Sequence, residues 1–371
     1  MTIEAVRLFP YRLPLRDPWP TAEGTVTERY GCLLALEDSE GRTGLGDTAP
    51  LPGFGLETIA SSIAALRTAA RRLIGLPAAT YLEAAANLPH LASIAATPAA
   101  RHAIDLALHD LAAQLIGRPI AALLDEGTAL TLVPANVAIP RVDPTRAAAL
   151  AREAVAAGAQ TLKLKVGGDS FREDLARVRA VRDEVGAHVA IRLDANQAWG
   201  EDKAIAAIRA FAVYDIEYVE QPVAAAEISA LARVRRSVDV PIAADESLTD
   251  LNAARRLIQA EAVSVFILKP MVLGGLSAAR AVAALARKHG IEVIVTSLIE
   301  SAVGRTGAIH LAASLGPTHH AHGIATGGAL QRDVAEGPGM ERGAVRVPTA
   351  PGLGVSLPPE KLRSTAPVEA A

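Results

Sequence analysis

Between residues 161 and 245 the chain reads TLKLKV (161–166), VAIRLD (189–194), IEYVE (216–220) and PIAAD (241–245), with helix-forming, alanine-rich stretches between the runs. Asp194, Glu220 and Asp245 each close a short apolar run and stand about 25 positions apart, the length of one strand-loop-helix unit. Lys163 and Lys165 precede them, and Lys269 ends the run VSVFILK (263–269). Successive strands of a closed parallel barrel present their last residues at one mouth. This rhythm therefore predicts six charged side chains gathered there.

Working outward, strands are expected at 130–139, 161–166, 189–194, 216–220, 241–244, 263–268 and 291–297, with a weaker eighth near 323–325. The runs lack polar alternation, as in strands buried on both faces. Helices such as 144–157 and 277–289 intervene. Residues 126–344 form the barrel in this reading. Residues 1–125 form an α+β segment, with paired strands over 3–36 and helical spacing over 57–124. The Pro- and Gly-containing tail, about 345–371, is expected to return to it. Segments 17–31 and 48–56 are read as loops covering the mouth.

With 371 residues, half of them apolar, the chain has ample material for a core. A net charge of −3 and 3% aromatic residues speak against a nucleic-acid partner. The apolar runs are too short to span a membrane, so no membrane partner is expected. The single cysteine, Cys32, excludes an intrachain disulfide framework, and the N-terminal residues lack the build of a signal peptide. A cytoplasmic location is expected, with a small carboxylate as substrate; a homo-oligomer is left open.

Three carboxylates with room for water and substrate suit Mg²⁺, with Mn²⁺ as substitute, far better than zinc, which prefers nitrogen and sulfur. Glu246 should point away from Asp245 if the strand continues. Lys163 and Lys165, two apart, share a face, and Lys269 approaches from the opposite side. A lysine crowded by another cation and a metal is expected to have a depressed pKa, as a base working near neutrality requires. Together these groups fit removal of a proton alpha to a carboxylate, with the resulting enediolate neutralised by the metal.

This order of Lys-x-Lys, Asp, Glu, Asp and Lys resembles the enolase superfamily, in particular its muconate lactonizing enzyme subgroup. RHAIDLALHDLAAQLIGRP (101–119) is similar to that family's capping-domain helix. The resemblance implies an α/β fold, a (β/α)7β modified TIM barrel with an α+β capping domain. It also implies Lys165 as general acid/base, Lys163 tuning it, and Lys269 across the substrate. Shorter strings, GDTAPLPGF (46–54) with Glu57-Thr58, Leu268-Lys269-Pro270 with Gly274-Gly275, and TSLIES (296–301) with Gly304, resemble the o-succinylbenzoate synthases. Those enzymes dehydrate 2-succinyl-6-hydroxy-2,4-cyclohexadiene-1-carboxylate for menaquinone. Asp47 stands where their loop usually has Glu. Arg192 matches an arginine of the family's active site, and Thr296, Ser297 and Gly323 are expected at the substrate.

The same machinery serves N-acylamino acid racemases, including those acting on N-succinyl amino acids, and muconate cycloisomerases. Dipeptide epimerases carry Asp-x-Asp on the eighth strand, where this chain reads HGIATG (322–327). A Schiff-base aldolase would leave the three carboxylates idle, and a non-catalytic barrel would not need all six groups. His319, His320 and His322 are read as a solvent-facing loop, and 165–170 as a tight turn without Walker spacing. Gly304 to Gly307 is either an anion cradle or a helix start. Trp19 and Phe54 are core residues or line the apolar part of the substrate.

Overall fold

The computed structural model describes residues 1–358 except 22, 23, 52, 56, 91, 92, 126 and 169. Pro52 and Leu56 of the expected cover, Asp169 of the expected turn and residues 359–371 of the tail thus lie outside the described residues. The N-terminal part is an antiparallel sheet of β1 (Ile3–Thr21), β2 (Gly24–Asp38) and β3 (Thr43–Thr48). It is followed by helices α1 (Ile59–Leu73), α2 (Tyr81–Asn87), α3 (Pro98–Leu115) and α4 (Ile120–Leu124). Helix α3 begins with Pro98, whose missing N–H costs nothing in a first turn, and is buried at every position from Ala99 to Ala113. Such a helix must be covered all round. On one side lies β3, where a Cβ on Gly46 would sit 1.8 Å from the Ala103 carbonyl oxygen, so only glycine permits the contact.

The polar groups that α3 carries into this layer are satisfied across it. Asp110 accepts from the N–H of Leu45 and of Leu353 (2.8 Å each). Asp105 accepts from Leu276 N at 2.6 Å. Buried polar groups left unpaired would cost more than the bonds contribute, so these contacts fix how α3 seats.

After β4 (Leu132–Pro134) come seven parallel strands with helices between them: β5 (Val137–Ile139), α5 (Pro144–Ala156), β6 (Thr161–Lys165), α6 (Phe171–Val185), β7 (Ala190–Asp194), α7 (Glu201–Phe211) and β8 (Ile216–Glu220). The series continues with α8 (Ile228–Ser237), β9 (Ile242–Ala244), α9 (Leu251–Gln259), β10 (Val265–Leu268), α10 (Pro270–Leu273), α11 (Leu276–Lys288), β11 (Glu292–Val295) and α12 (Ala302–Ser314). The eighth position is only His322–Gly323. Gly323 N donates to Val295 O (2.9 Å) and Asn136 N to His322 O (2.9 Å), which joins β11 to the segment before β5 and closes the ring. Tyr218, Ala243, Val265, Ile267 and Ile294 form a separate buried cluster. Their alternation with outward-packed neighbours places it inside the barrel.

Three expectations change. The run 130–139 is two elements, because the strand ladder of Leu132–Pro134 is antiparallel with β13 (Ala344–Arg346), itself paired with β12 (Met340–Glu341), and its bond to the barrel is through Pro134 O, which accepts from His322 N (2.7 Å). Segment 17–31 is largely hairpin: after an irregularity between Pro14 and Trp19 the register resumes with Trp19 opposite Val26. Its prolines are tolerated because β1 is an edge strand. Of the three histidines read as a solvent-facing loop, His319 is exposed, but His320 bonds Glu217 through Nδ1 (2.6 Å) and His322 is fully buried, its Nδ1 accepting from Val295 N (2.9 Å). Beyond β13 the chain bonds to Thr131 through Val347, to Arg118 and Ile120 through Gly352, and to Asp110 through Leu353.

Candidate active site at the barrel mouth

Strand β6 alternates, so Leu162 and Leu164 pack outward while Lys163 and Lys165 turn inward. Its register places Lys165 beside Asp194, and β7 in turn sets Asp194 beside Glu220. Asp245 follows β9 by one residue and Lys269 follows β10 by one. Lys163 Nζ lies 2.9 Å from Asp194 Oδ2 and 2.6 Å from Glu220 Oε1. Lys165 Nζ lies 2.7 Å from Asp194 Oδ2 and 2.6 Å from Asn196 Oδ1. Lys269 is paired with Asp245. The structure thus brings all six residues together, with Lys165 and Lys269 four strands apart around the ring.

All three carboxylates are buried. Burial opposes the charge of Asp194, but Lys163 and Lys165 outweigh it and hold the carboxyl well below its usual range. Glu220 goes the other way, pushed up to about 7 by burial and then by the charge of Asp194. Burial also raises Asp245, against the pull of Lys269. Lys163 is raised, since Asp194 and Glu220 overcome its desolvation. The expected depression applies where carboxylate charge is already spent on a cation; here that charge faces Lys163 directly.

The ammonium groups stand between the carboxylates, and among the described residues no three His, Cys, Asp or Glu side chains already form an ion's cage. The donor set nonetheless fits a hard divalent cation. Asp194, Glu220, Asp245 and Glu246 supply four carboxylates against three lysines, and Glu220 Oε2 is buried with no partner.

Several sequence expectations are corrected. Arg192 does not reach the mouth: it is fully buried, donates to Glu217 (2.5 Å) and Ala321 O (2.7 Å), and stacks on Tyr218 with 4.9 Å to the ring centre. It braces the barrel's interior below Asp194. Glu246 faces the site, because β9 ends at Ala244 and strand alternation lapses; its Oε1 accepts from Asn196 Nδ2 at 3.1 Å. Gly323 has its N–H and carbonyl committed to Val295 and Ser297, so it offers room and no backbone contact. A Cβ there would meet Thr296 Oγ1 at 2.3 Å. Thr296, in line with Lys269, donates to Gly323 O (2.8 Å), and Ser297 Oγ lies 2.6 Å from Thr326 Oγ1.

The N–H groups of Gly167 and Gly168 are taken by Asp174 Oδ2 (2.7 and 3.1 Å), which leaves no phosphate cradle. Gly304 to Gly307 is buried within α12. Asp47 accepts from Tyr11 (2.8 Å) and from Ser301 Oγ (2.7 Å), tying the N-terminal sheet to the barrel. Trp19 lies over Lys165 and Phe54 over Lys269, at 5.9 and 4.7 Å from ring centre to Nζ.

Asn196 and Gln221 escaped the sequence reading. Gln221 Oε1 accepts from Asp245 N (3.0 Å) and Ser247 N (3.1 Å), which orients the loop carrying Asp245. Both residues have positive φ, 42° and 38°, and each sits one or two places after a candidate ligand. A polar amide at that spacing was the available signal.

Residues 3–125 match the mandelate racemase / muconate lactonizing enzyme N-terminal domain, and 146–361 the enolase C-terminal domain-like family. A hydrophobic dipeptide epimerase of Enterococcus faecalis is 33% identical over 96% of this chain and all of its own length. The structure of a dipeptide epimerase from Enterococcus faecalis V583 with Mg and L-Leu-L-Tyr superposes with a TM-score of 0.89 at 31% identity, covering 96% and 100% of the two chains. The N-succinyl Arg/Lys racemase of Bacillus cereus superposes at 0.90 with 29% identity, covering 98% and 97%. An o-succinylbenzoate synthase of Thermobifida fusca is 42% identical, but over 56% of this chain and 63% of its own.

Proposed function

The chain belongs to the mandelate racemase / muconate lactonizing enzyme family of the enolase superfamily, and from that premise we propose that it is a Mg²⁺-dependent o-succinylbenzoate synthase. Mg²⁺ is the ion held in structures of its relatives. Asp194, Glu220 and Asp245 would hold it, and it would supply positive charge to the substrate carboxylate as the alpha proton leaves.

Lys165, as the neutral amine, removes that proton. Asp194 Oδ2 and Asn196 Oδ1 accept its N–H bonds and so fix where the amine points. Lys269, on the opposite wall, stabilises the enediolate by charge. The Lys165 ammonium then returns its proton to the departing hydroxyl, water leaves, and the ring becomes aromatic. Trp19 and Phe54 wall the chamber on its two cationic sides.

The observation that carries this reading is the end of the eighth strand. Gly323, Ile324, Ala325 and Thr326 bear no carboxylate, and the Ser297–Thr326 hydroxyl pair stands there instead. A dipeptide's ammonium group would find no anion at that place, whereas an acid with an apolar ring needs none. The higher identity to a synthase over part of the chain supports the same choice.

Incubation of the Mg²⁺-loaded protein with 2-succinyl-6-hydroxy-2,4-cyclohexadiene-1-carboxylate should lower near-ultraviolet absorbance, because the acyl-conjugated diene is lost as the ring aromatises. Absence of turnover by folded, metal-loaded protein would reject the proposal. Racemisation of an N-succinyl amino acid is the second reading, favoured by the opposed placement of Lys165 and Lys269. It predicts solvent deuterium at the alpha carbon from both enantiomers.

A further inference from the structure

We propose that Arg29 is a positioning residue that keeps Trp19 over Lys165 and Phe54 over Lys269 together, a role that rests on those lysines being the reacting groups. Arg29 is 3% exposed and forms no ion pair among the described residues. Its guanidinium fork instead holds three backbone carbonyls: Ile299 O through Nε (3.3 Å), Pro50 O through Nη1 (3.2 Å) and Ala49 O through Nη2 (2.5 Å). The charges of Glu300 and Asp47 offset part of the cost of burying this cation, while its guanidinium hydrogen bonds go to carbonyls and so fix those three backbone segments relative to one another.

Each of the three segments it joins forms a wall of the chamber. Arg29 itself lies on β2 opposite Leu13, at the root of the hairpin whose outer part carries Trp19. The other edge of that root is pinned to the barrel, where Gln331 N donates to Pro14 O (2.9 Å) and Gln331 Nε2 to Leu15 O (2.8 Å). Ala49 and Pro50 begin the segment that leads to Phe54, which packs with Leu51, Met271 and Leu298. Ile299 belongs to the loop after β11 and has φ of +58°, a conformation that a β-branched residue rarely adopts. The strained carbonyl is one that Arg29 holds, which is how such strain persists. One guanidinium thus ties the hairpin, the Phe54 segment and the β11 loop, and a point-charged lysine lacks the planar fork to do so.

The test reads Trp19 without substrate. The chain has two tryptophans, so W199F leaves Trp19 as the single emitter. In that background Arg29→Met should shift Trp19 emission to the red, raise acrylamide quenching several-fold and open the 49–58 segment to protease. In turnover assays KM should rise more than kcat falls. Unchanged emission and cleavage in an Arg29→Met protein with native circular dichroism would overturn the proposal. If that variant does not fold, Arg29→Lys decides: an intermediate shift supports the brace, and wild-type emission overturns it. A Trp19 shift in a protein that never converts the cyclohexadienyl acid would leave the brace standing and reject the synthase reading.

Discussion

Lys163 Nζ lies 2.6 Å from Glu220 Oε1, while Oε2 of the same buried carboxylate meets no partner. One ammonium shared with Asp194 does not balance Glu220, whose pKa is pushed up to about 7. A folded-state value above the unfolded one gives stability that is full below about 4.5 and lost as pH rises through about 7. Metal-free Glu220→Gln should therefore be more stable than metal-free wild type at pH 8, by roughly 2 kcal/mol in urea titrations. Mg²⁺ should then stabilise wild type and leave the variant unmoved. A variant less stable at pH 8, or one that gains equally from Mg²⁺, would remove Glu220 from the ion's site.

Lys165→Ala should keep the fold and metal binding and slow turnover by roughly a thousandfold, the usual range for loss of a general acid/base. Asp194 keeps its pairing with Lys163 (2.9 Å) when this side chain is lost, so no buried charge is left alone and the thermal midpoint should move little. Activity within a few-fold of wild type would reassign the base.

The barrel was legible because its strands are apolar runs without polar alternation and five in succession, β6 to β10, end on or beside a charge, a pattern that survives in one sequence without tertiary knowledge. Lys163, Lys165, Asp194, Glu220, Asp245 and Lys269 follow from it directly. Glu246 did not, because its direction depends on β9 stopping at Ala244, a boundary of one residue. Arg192 has the right strand and parity but the wrong depth, since a layer in a barrel is set by the shear between strands and not by sequence spacing. His322 read as loop because two residues, bonded on both sides, are too few to show a strand's periodicity.

Gly46→Ala tests how tightly the N-terminal sheet seats. The added methyl would meet backbone, the Ala103 carbonyl, which cannot swing aside as a flexible side chain can. A loss of about 3 kcal/mol is expected in chemical denaturation, at the upper end of overpacking costs. Because Asp47 lies next in the chain and bonds Ser301 of the barrel, activity should fall in the same variant. A neutral outcome would mean that β3 and α3 are not in contact.

His310 supplies the acid-sensitive joint. Its Nδ1 accepts from Ala121 N (3.1 Å) in α4, and its Nε2 donates to Leu353 O (2.9 Å) in the returning tail. Both bonds require the neutral ring with its proton on Nε2, and burial lowers the pKa to about 4. A base lowered in the fold gives stability that is full above its unfolded value of 6.5 and lost as pH falls toward about 4. That shift is worth on the order of 3 kcal/mol, and protonation would turn Nδ1 into a donor facing the Ala121 N–H. His310→Gln keeps one acceptor and one donor without a titrating proton. It should flatten the fall in thermal midpoint between pH 6.5 and 4, with little change at pH 8. Hydrogen exchange at Leu353 and Ala121 should report the same joint: faster at pH 5 than pH scaling alone predicts in wild type, and not so in the variant. Parallel pH profiles for the two proteins would assign the acid sensitivity elsewhere.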